Sequence, residues 1–247
     1  MSYNIALLIP TTSKDRPEWN TIKDAYLINY TLKTFLLTYN KEHNYTFYIG
    51  YDNDDRVYSD IKQHEQIYRY TKVFKNINFK FIKFNIEKGF LTKMWNFLFR
   101  EAYNDNNDYY YQCGDDIKFK TKNWINDSIN VLRKNNNIGI SGPVNNNDAG
   151  ILTQVMVSKK HMEIFGYFFI EDVKNWCCDD WINEVYKPNN IFHLRDHYCD
   201  NCSVIDKPHQ YRYDIDNDPN FFYKRGELGK LRMLVINIAN SQKHLIK

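Results

Sequence analysis

Apolar residues run unbroken from Ile5 to Ile9, then give way to Pro10 and a polar loop, Thr11 to Arg16. A continuous apolar run of that length, bounded by turn residues, predicts a strand buried on both faces. Pro17 stands where proline opens a helix, and Trp19, Ile22, Ala25, Ile28, Leu32 and Phe35 recur at helical spacing beyond it. Tyr45 to Tyr51 predicts a second strand, ending in Asp52-Asn53-Asp54-Asp55. Val57 to Tyr70 predicts a second, more polar helix. Phe79 to Phe84 alternates as a third strand does. Gly89 interrupts the chain, and Leu91, Met94, Trp95, Leu98 and Ala102 mark a helix to about Tyr103. The aromatic run Tyr109-Tyr110-Tyr111 favours a fourth strand. It ends at Gly114-Asp115-Asp116, with Ile117 and Phe119 following.

Strand and helix thus alternate through the first half, which predicts a mainly parallel sheet covered by helices. Three strand ends carry acidic or hydroxyl-rich loops, and these should share one edge of the sheet and form a cleft. The second half is less regular. It predicts a helix over Trp124 to Arg133, a short strand and turn over Ile138 to Pro143, and a strand over Thr153 to Ser158. A short helix over Lys160 to Phe165, a helical turn ending at Tyr186 and a strand over Asn190 to Leu194 follow. Pro219 opens a helical region running through Leu228, Leu231 and Leu245. No repeat and no linker divides the chain, so residues 1–247 read as one domain.

Composition changes this picture little. Hydrophobic residues are 43% and charged residues 26%, enough for a core and against disorder. A net charge of +3 with no long basic run argues against a nucleic-acid partner. The opening apolar run lacks a basic flank and is too short for a signal peptide, and no run approaches a membrane span. Five cysteines cannot all pair within the chain, and the expectation is a reducing, cytoplasmic setting.

Candidate chemistry sits at the strand ends. Asp115-Asp116 offers two hard oxygen ligands, suited to Mg²⁺ or Mn²⁺ against a diphosphate, or else a solvated acidic turn. Thr11, Thr12 and Arg16 offer hydroxyls and a cation for a base or phosphate, or else an ordinary helix-capping loop. Asp52 and Asp54 suit a ribose hydroxyl, or a solvated turn. Lys93 and Asn96 lie one helical turn apart, aimed at the cleft or forming a polar stripe. Asp179-Asp180 begins a helix between Trp176 and Trp181. There the pair suits the helix dipole, or supplies a general base beside aromatic walls. His193, His197, Cys199 and Cys202 hint at zinc, with buried neutral thiols as the alternative.

In this order the pieces resemble the GT-A glycosyltransferases, in particular the inverting family-2-like group. The likeness covers roughly residues 4 to 212. Its most specific parts are Gln112-Cys113-Gly114-Asp115-Asp116, similar to the DxD region, and Trp176 to Ile182, similar to the catalytic-base region. The tract Cys202 to Arg212 is similar to the stretch where many members place a histidine as third metal ligand, which selects His209. The resemblance implies a GT-A (Rossmann-like) sheet flanked by helices, with a nucleotide-sugar half over residues 1–120 and a mixed acceptor and catalytic half over 121–218. It leaves a helical extension over 219–247, read as an acceptor-side lid or an oligomer contact. It implies a nucleotide-diphosphate sugar donor, a UDP-sugar first, a hexose or N-acetylhexosamine as the sugar, and a glycan, glycoprotein or glycolipid acceptor. It further implies Mn²⁺ or Mg²⁺ on Asp116, Asp115 and His209, nucleotide contacts from Thr11, Thr12, Arg16, Asp52, Asp54, Lys93 and Asn96, and Asp180, beside Asp179, as the base. The motifs depart from the family in reading Asp-Asp-Ile rather than Asp-x-Asp, and Asp-Asp rather than Glu-Asp.

Overall fold

The computed structural model describes residues 1–146, 150–202 and 228–246. The unbroken apolar run forms β1 (Asn4–Thr11), buried on both faces along Ile5 to Ile9. β2 (Asn44–Asp52) and β3 (Ile77–Phe84) follow on one side, and β4 (Tyr109–Gln112) lies on the other, all parallel. The chain thus winds outward from β1 through β3 and then returns to the opposite flank of β1. That reversal is a topological switch point. The C-terminal ends of β1 and β4 lie side by side at this reversal, the place where open α/β sheets bind ligands.

The second half extends the same sheet. β4 pairs antiparallel with β7 (Val155–Ser158), and β7 pairs antiparallel with β6 (Ile140–Asn145). β6 runs parallel to β8 (Ile191–Asn201), and β8 pairs antiparallel with the short edge strand β5 (Ile117–Phe119). One eight-stranded mixed sheet, ordered β3-β2-β1-β4-β7-β6-β8-β5, therefore spans both halves. α1 (Lys33–Thr38), α2 (Ile61–Thr71) and α4 (Trp124–Lys134) contribute to the core on one face. α3 (Leu91–Asn104), α5 (Lys159–Phe165), α6 (Cys178–Tyr186) and α7 (Leu228–Gln242) contribute to the core on the other.

Three sequence expectations are corrected. No helix opens at Pro17. A 3₁₀ turn spans Ile22–Asp24 and a π-helical stretch Leu27–Leu32 precedes α1. The reason is tertiary: Ser13 is tied by its N–H and hydroxyl to Asp55 after β2, so the chain winds only beyond that anchor. The last strand is far longer than Asn190 to Leu194, because β8 gains partners on both sides. Trp181 is no sugar wall. It is fully buried, and its indole N–H donates to Gln242 Oε1 at 3.0 Å. Pro219 lies outside the described residues, within which α7 begins at Leu228.

His161 on α5 gives the fold a pH signature. It is buried, with Nε2 donating to the Phe168 carbonyl at 3.1 Å and Nδ1 accepting from the Tyr186 hydroxyl at 2.7 Å. Those bonds suit a neutral ring, and burial pushes its pKa down to about 4 from 6.5. The unfolded chain therefore binds a proton more readily than the folded one. Stability from this residue is complete above pH 6.5 and falls as pH drops towards 4. The expected loss is about 3 kcal/mol, read as urea unfolding at stepped pH. His161→Phe should remove that dependence.

Candidate functional site

The candidate site is built at the ends of β1, β2 and β4. The Thr11 hydroxyl at the end of β1 donates to Asp115 Oδ2 at 2.6 Å, joining β1 to the turn after β4. Asp115 is fully buried and Asp116 nearly so. A Cβ in place of Gly114 would lie 2.5 Å from Asp116 Oδ1, so any side chain there would push that carboxylate aside. The glycine lets the Asp116 carboxylate approach the backbone. Burial and the charge of Asp116 raise the Cys113 thiol well above its ordinary pKa, keeping it protonated.

The π-helical stretch and α1 hold the strand that follows this turn. Thr31 Oγ1 accepts from the Ile117 N–H at 3.0 Å, and Thr34 Oγ1 accepts from the Phe119 N–H at 3.0 Å. Continuing the β5–β8 pairing, the Cys202 N–H donates to the Asp116 carbonyl at 2.9 Å. Two carboxylates are the oxygen donors a hard divalent cation takes. His209, the third ligand expected, lies outside the described residues. Among the described residues no group of three or more His, Cys, Asp or Glu side chains is placed to hold a metal.

A cavity of about 470 Å³, lined mainly by charged and hydroxyl-bearing residues, opens between the loops after β1 and β2. Thr12, Arg16, Asp52 and Asp54 line it, together with Asp55 and Lys88. Asp55 ties the two loops together. Its carboxylate accepts from the Thr12 hydroxyl, the Ser13 N–H and hydroxyl, and the Val57 and Tyr58 N–H groups. Lys88 pairs with Asp54 at 2.6 Å, and that bond holds the Asp54 carboxyl below its usual range. Arg16 is buried over the Tyr26 ring, with Nη1 donating to the Asp15 carbonyl at 2.8 Å.

Other candidates sit elsewhere. Lys93 rests over the Phe90 ring at 4.2 Å. Asn96 faces inward. Its Oδ1 accepts from the Phe168 and Phe169 N–H groups, and its Nδ2 donates to the Phe169 carbonyl and Glu171. Every hydrogen-bonding valence of the amide is occupied, so Asn96 pins the 168–171 segment to α3 and has none left for a nucleotide. The zinc reading of β8 also fails. His197 bonds Asp127 and Thr121, and Cys199 is buried in the core against Gln154, its thiol pushed up to about 12.

Asp179 and Asp180 occupy the first turn of α6, which starts after Cys177 in the left-handed region at φ 67°. Asp179 Oδ1 accepts from the Asp180 N–H at 3.0 Å, and Asp180 Oδ1 pairs with Arg232 Nε of α7 at 2.9 Å. Sequence reasoning missed Asp55, Lys88, Thr31, Thr34 and Arg232. The run Asp52 to Asp55 signalled a turn, but nothing in it marked the last carboxylate as the buried one. Arg232 carried no signal, because its partner lies 52 residues earlier in the chain.

No protein-family model matches this chain, and no curated protein matches it. Solved structures share its fold. Staphylococcus aureus TarS 1-349 aligns at TM-score 0.53 and 14% identity, covering 79% of this chain and 60% of that one. The same fragment in complex with UDP aligns at TM-score 0.53 and 13% identity over 80% of this chain and 60% of its own. Against a longer S. aureus TarS chain the match covers 36% of that protein. This chain thus spans 60% of the shorter neighbours' length and 36% of the longer one's. The likeness shows a shared α/β fold.

Proposed function

We propose that this chain transfers a hexose or N-acetylhexosamine from a nucleotide-diphosphate sugar, with UDP as nucleotide, to an acceptor hydroxyl on a glycan, glycoprotein or glycolipid. The observation that carries the reading is the site at the strand ends. A pair of carboxylates stands at the β1/β4 switch point, and the loops after β1 and β2 enclose a cavity of about 470 Å³, a volume typical of small-ligand sites. The fold shared with a UDP-complexed TarS supports the choice of nucleotide.

In this reading Asp52 and Asp54 accept from ribose hydroxyls. Thr12, Arg16 and Lys88 face the base and diphosphate. Asp116, with Asp115 beside it and His209 as third ligand, holds Mn²⁺ or Mg²⁺. Bound there, the cation supplies charge neutralisation for a diphosphate leaving group. Asp180 takes the acceptor hydroxyl proton as oxygen attacks the anomeric carbon in line, the carbon–phosphate-oxygen bond breaks and the sugar's configuration inverts. Asp180→Asn should lower transfer about 10²-fold, within the usual range for a positioned base. Nucleotide affinity by calorimetry should stay unchanged, and loss of binding instead would move Asp180 to the donor site.

A panel of nucleotide sugars with Mn²⁺, read as release of nucleoside diphosphate, tests the class. One consumed donor supports it. Pyrophosphate released from a nucleoside triphosphate and a sugar phosphate, with every donor untouched, would replace it with nucleotidyl transfer.

A further inference from the structure

The Asp180 carboxylate is not left to solvent. Its side chain is 14% exposed, and its Oδ1 is bound by the guanidinium of Arg232 from α7. The charged and titratable groups facing it are Arg232, the Cys177 thiol before α6 and the neighbouring Asp179. Among the other elements packed on α6, β6 carries no ionisable side chain, and the Tyr167 hydroxyl is engaged by Gln242. Lys243, just beyond α7, goes to Glu184 at 2.7 Å. Among the described residues, Arg232 is the cation paired with Asp180.

The placement of that cation is built in. α7 buries Leu231, Val235 and Ala239, and Arg232 follows Leu231 directly. Gln242 accepts from the Trp181 indole, and Lys243 pairs with Glu184, one turn beyond Asp180. Contacts at both ends of α7 therefore fix its register on α6 and set Arg232 over the first turn. The hydrogen bond to Asp180 also raises the Arg232 guanidinium above its ordinary pKa.

We propose that Arg232 is a positioning residue for transfer: from the C-terminal helix it fixes the orientation of the Asp180 carboxylate. The proposal rests on the reading of Asp180 as general base. A general base must be held in line with the proton it takes, and a guanidinium nitrogen 2.9 Å from Oδ1 holds this carboxylate in one orientation. Arg232 is 59% exposed, so solvent screening moderates the effect.

The test compares kcat and KM for transfer in the wild-type chain, Arg232→Gln, Arg232→Lys and Asp180→Asn, with the donor that the nucleotide-sugar panel identifies. In Arg232→Gln kcat should fall by about 3- to 5-fold, with KM for the donor unchanged. Arg232→Lys should restore most of kcat. Melting temperatures within a few degrees of wild type separate this from loss of fold, and a purely structural role for Arg232 would not lower kcat alone. Equal kcat in wild type and Arg232→Gln would overturn the proposal while leaving Asp180 as base. Full activity in Asp180→Asn would overturn the base reading itself, and the two failures are distinguishable.

Discussion

Asp116→Asn is expected to lower transfer from a nucleotide sugar by about 10³-fold while the chain stays folded. A cation on a departing diphosphate stabilises the transition state by several kcal/mol, and each 1.4 kcal/mol is tenfold in rate. The substitution keeps the shape of the side chain, so its close approach to Gly114 and the backbone bond from Cys202 to the Asp116 carbonyl remain. What it removes is one formal charge at an almost buried position. Wild type should lose activity to excess chelator and regain it on addition of Mn²⁺, and Asp116→Asn should respond to neither. Full wild-type activity in excess chelator would end the metal role. Gly114→Ala is a companion that reaches the same atom through sterics. Its Cβ would displace Asp116 Oδ1 without changing any charge, and activity should fall while Asp115 stays bonded to Thr11.

The two acidic pairs were visible in the sequence for different reasons. Asp115-Asp116 ends an aromatic strand, and position at a strand end in an alternating chain is enough to place it at the sheet edge. The first four strands were legible because their apolar content is continuous or aromatic, and the helices between them are amphipathic. The irregular entry after β1 was not legible. The periodicity of Trp19, Ile22 and Ala25 is helical in one dimension, yet Ser13 and Thr12 are held by a carboxylate more than 40 residues away. Asn96 failed for the same reason: one turn from a lysine it reads as a surface stripe, but its four partners come from residues 168–171. Spacing reports the face of an element and leaves open what covers that face. The zinc-like run misled because a strand was predicted to stop at Leu194. Once β8 continues to Asn201, its side chains belong to a sheet and take partners from α4 and the core.

Asp55→Ala should be the most destabilising substitution at the site, by about 4–5 kcal/mol. The Asp55 carboxylate accepts from three backbone N–H groups, those of Ser13, Val57 and Tyr58, at 2.6 to 3.0 Å, and from the hydroxyls of Thr12 and Ser13. The hydroxyls can rotate to new acceptors. The N–H groups cannot, and each left unsatisfied costs roughly 1–3 kcal/mol. For a chain of 247 residues this corresponds to a melting temperature lower by about 10–15 °C. Asp55→Asn keeps one acceptor oxygen and should fall between the two. Because the same carboxylate joins the loops after β1 and β2, the loss of stability should be accompanied by loss of nucleotide binding. That coupling separates Asp55 from Asp52 and Asp54, whose asparagine variants should weaken nucleotide binding with little change in melting temperature. A fall of less than about 3 °C in Asp55→Ala would mean that water satisfies the three N–H groups, and that the cavity does not depend on this carboxylate for its shape.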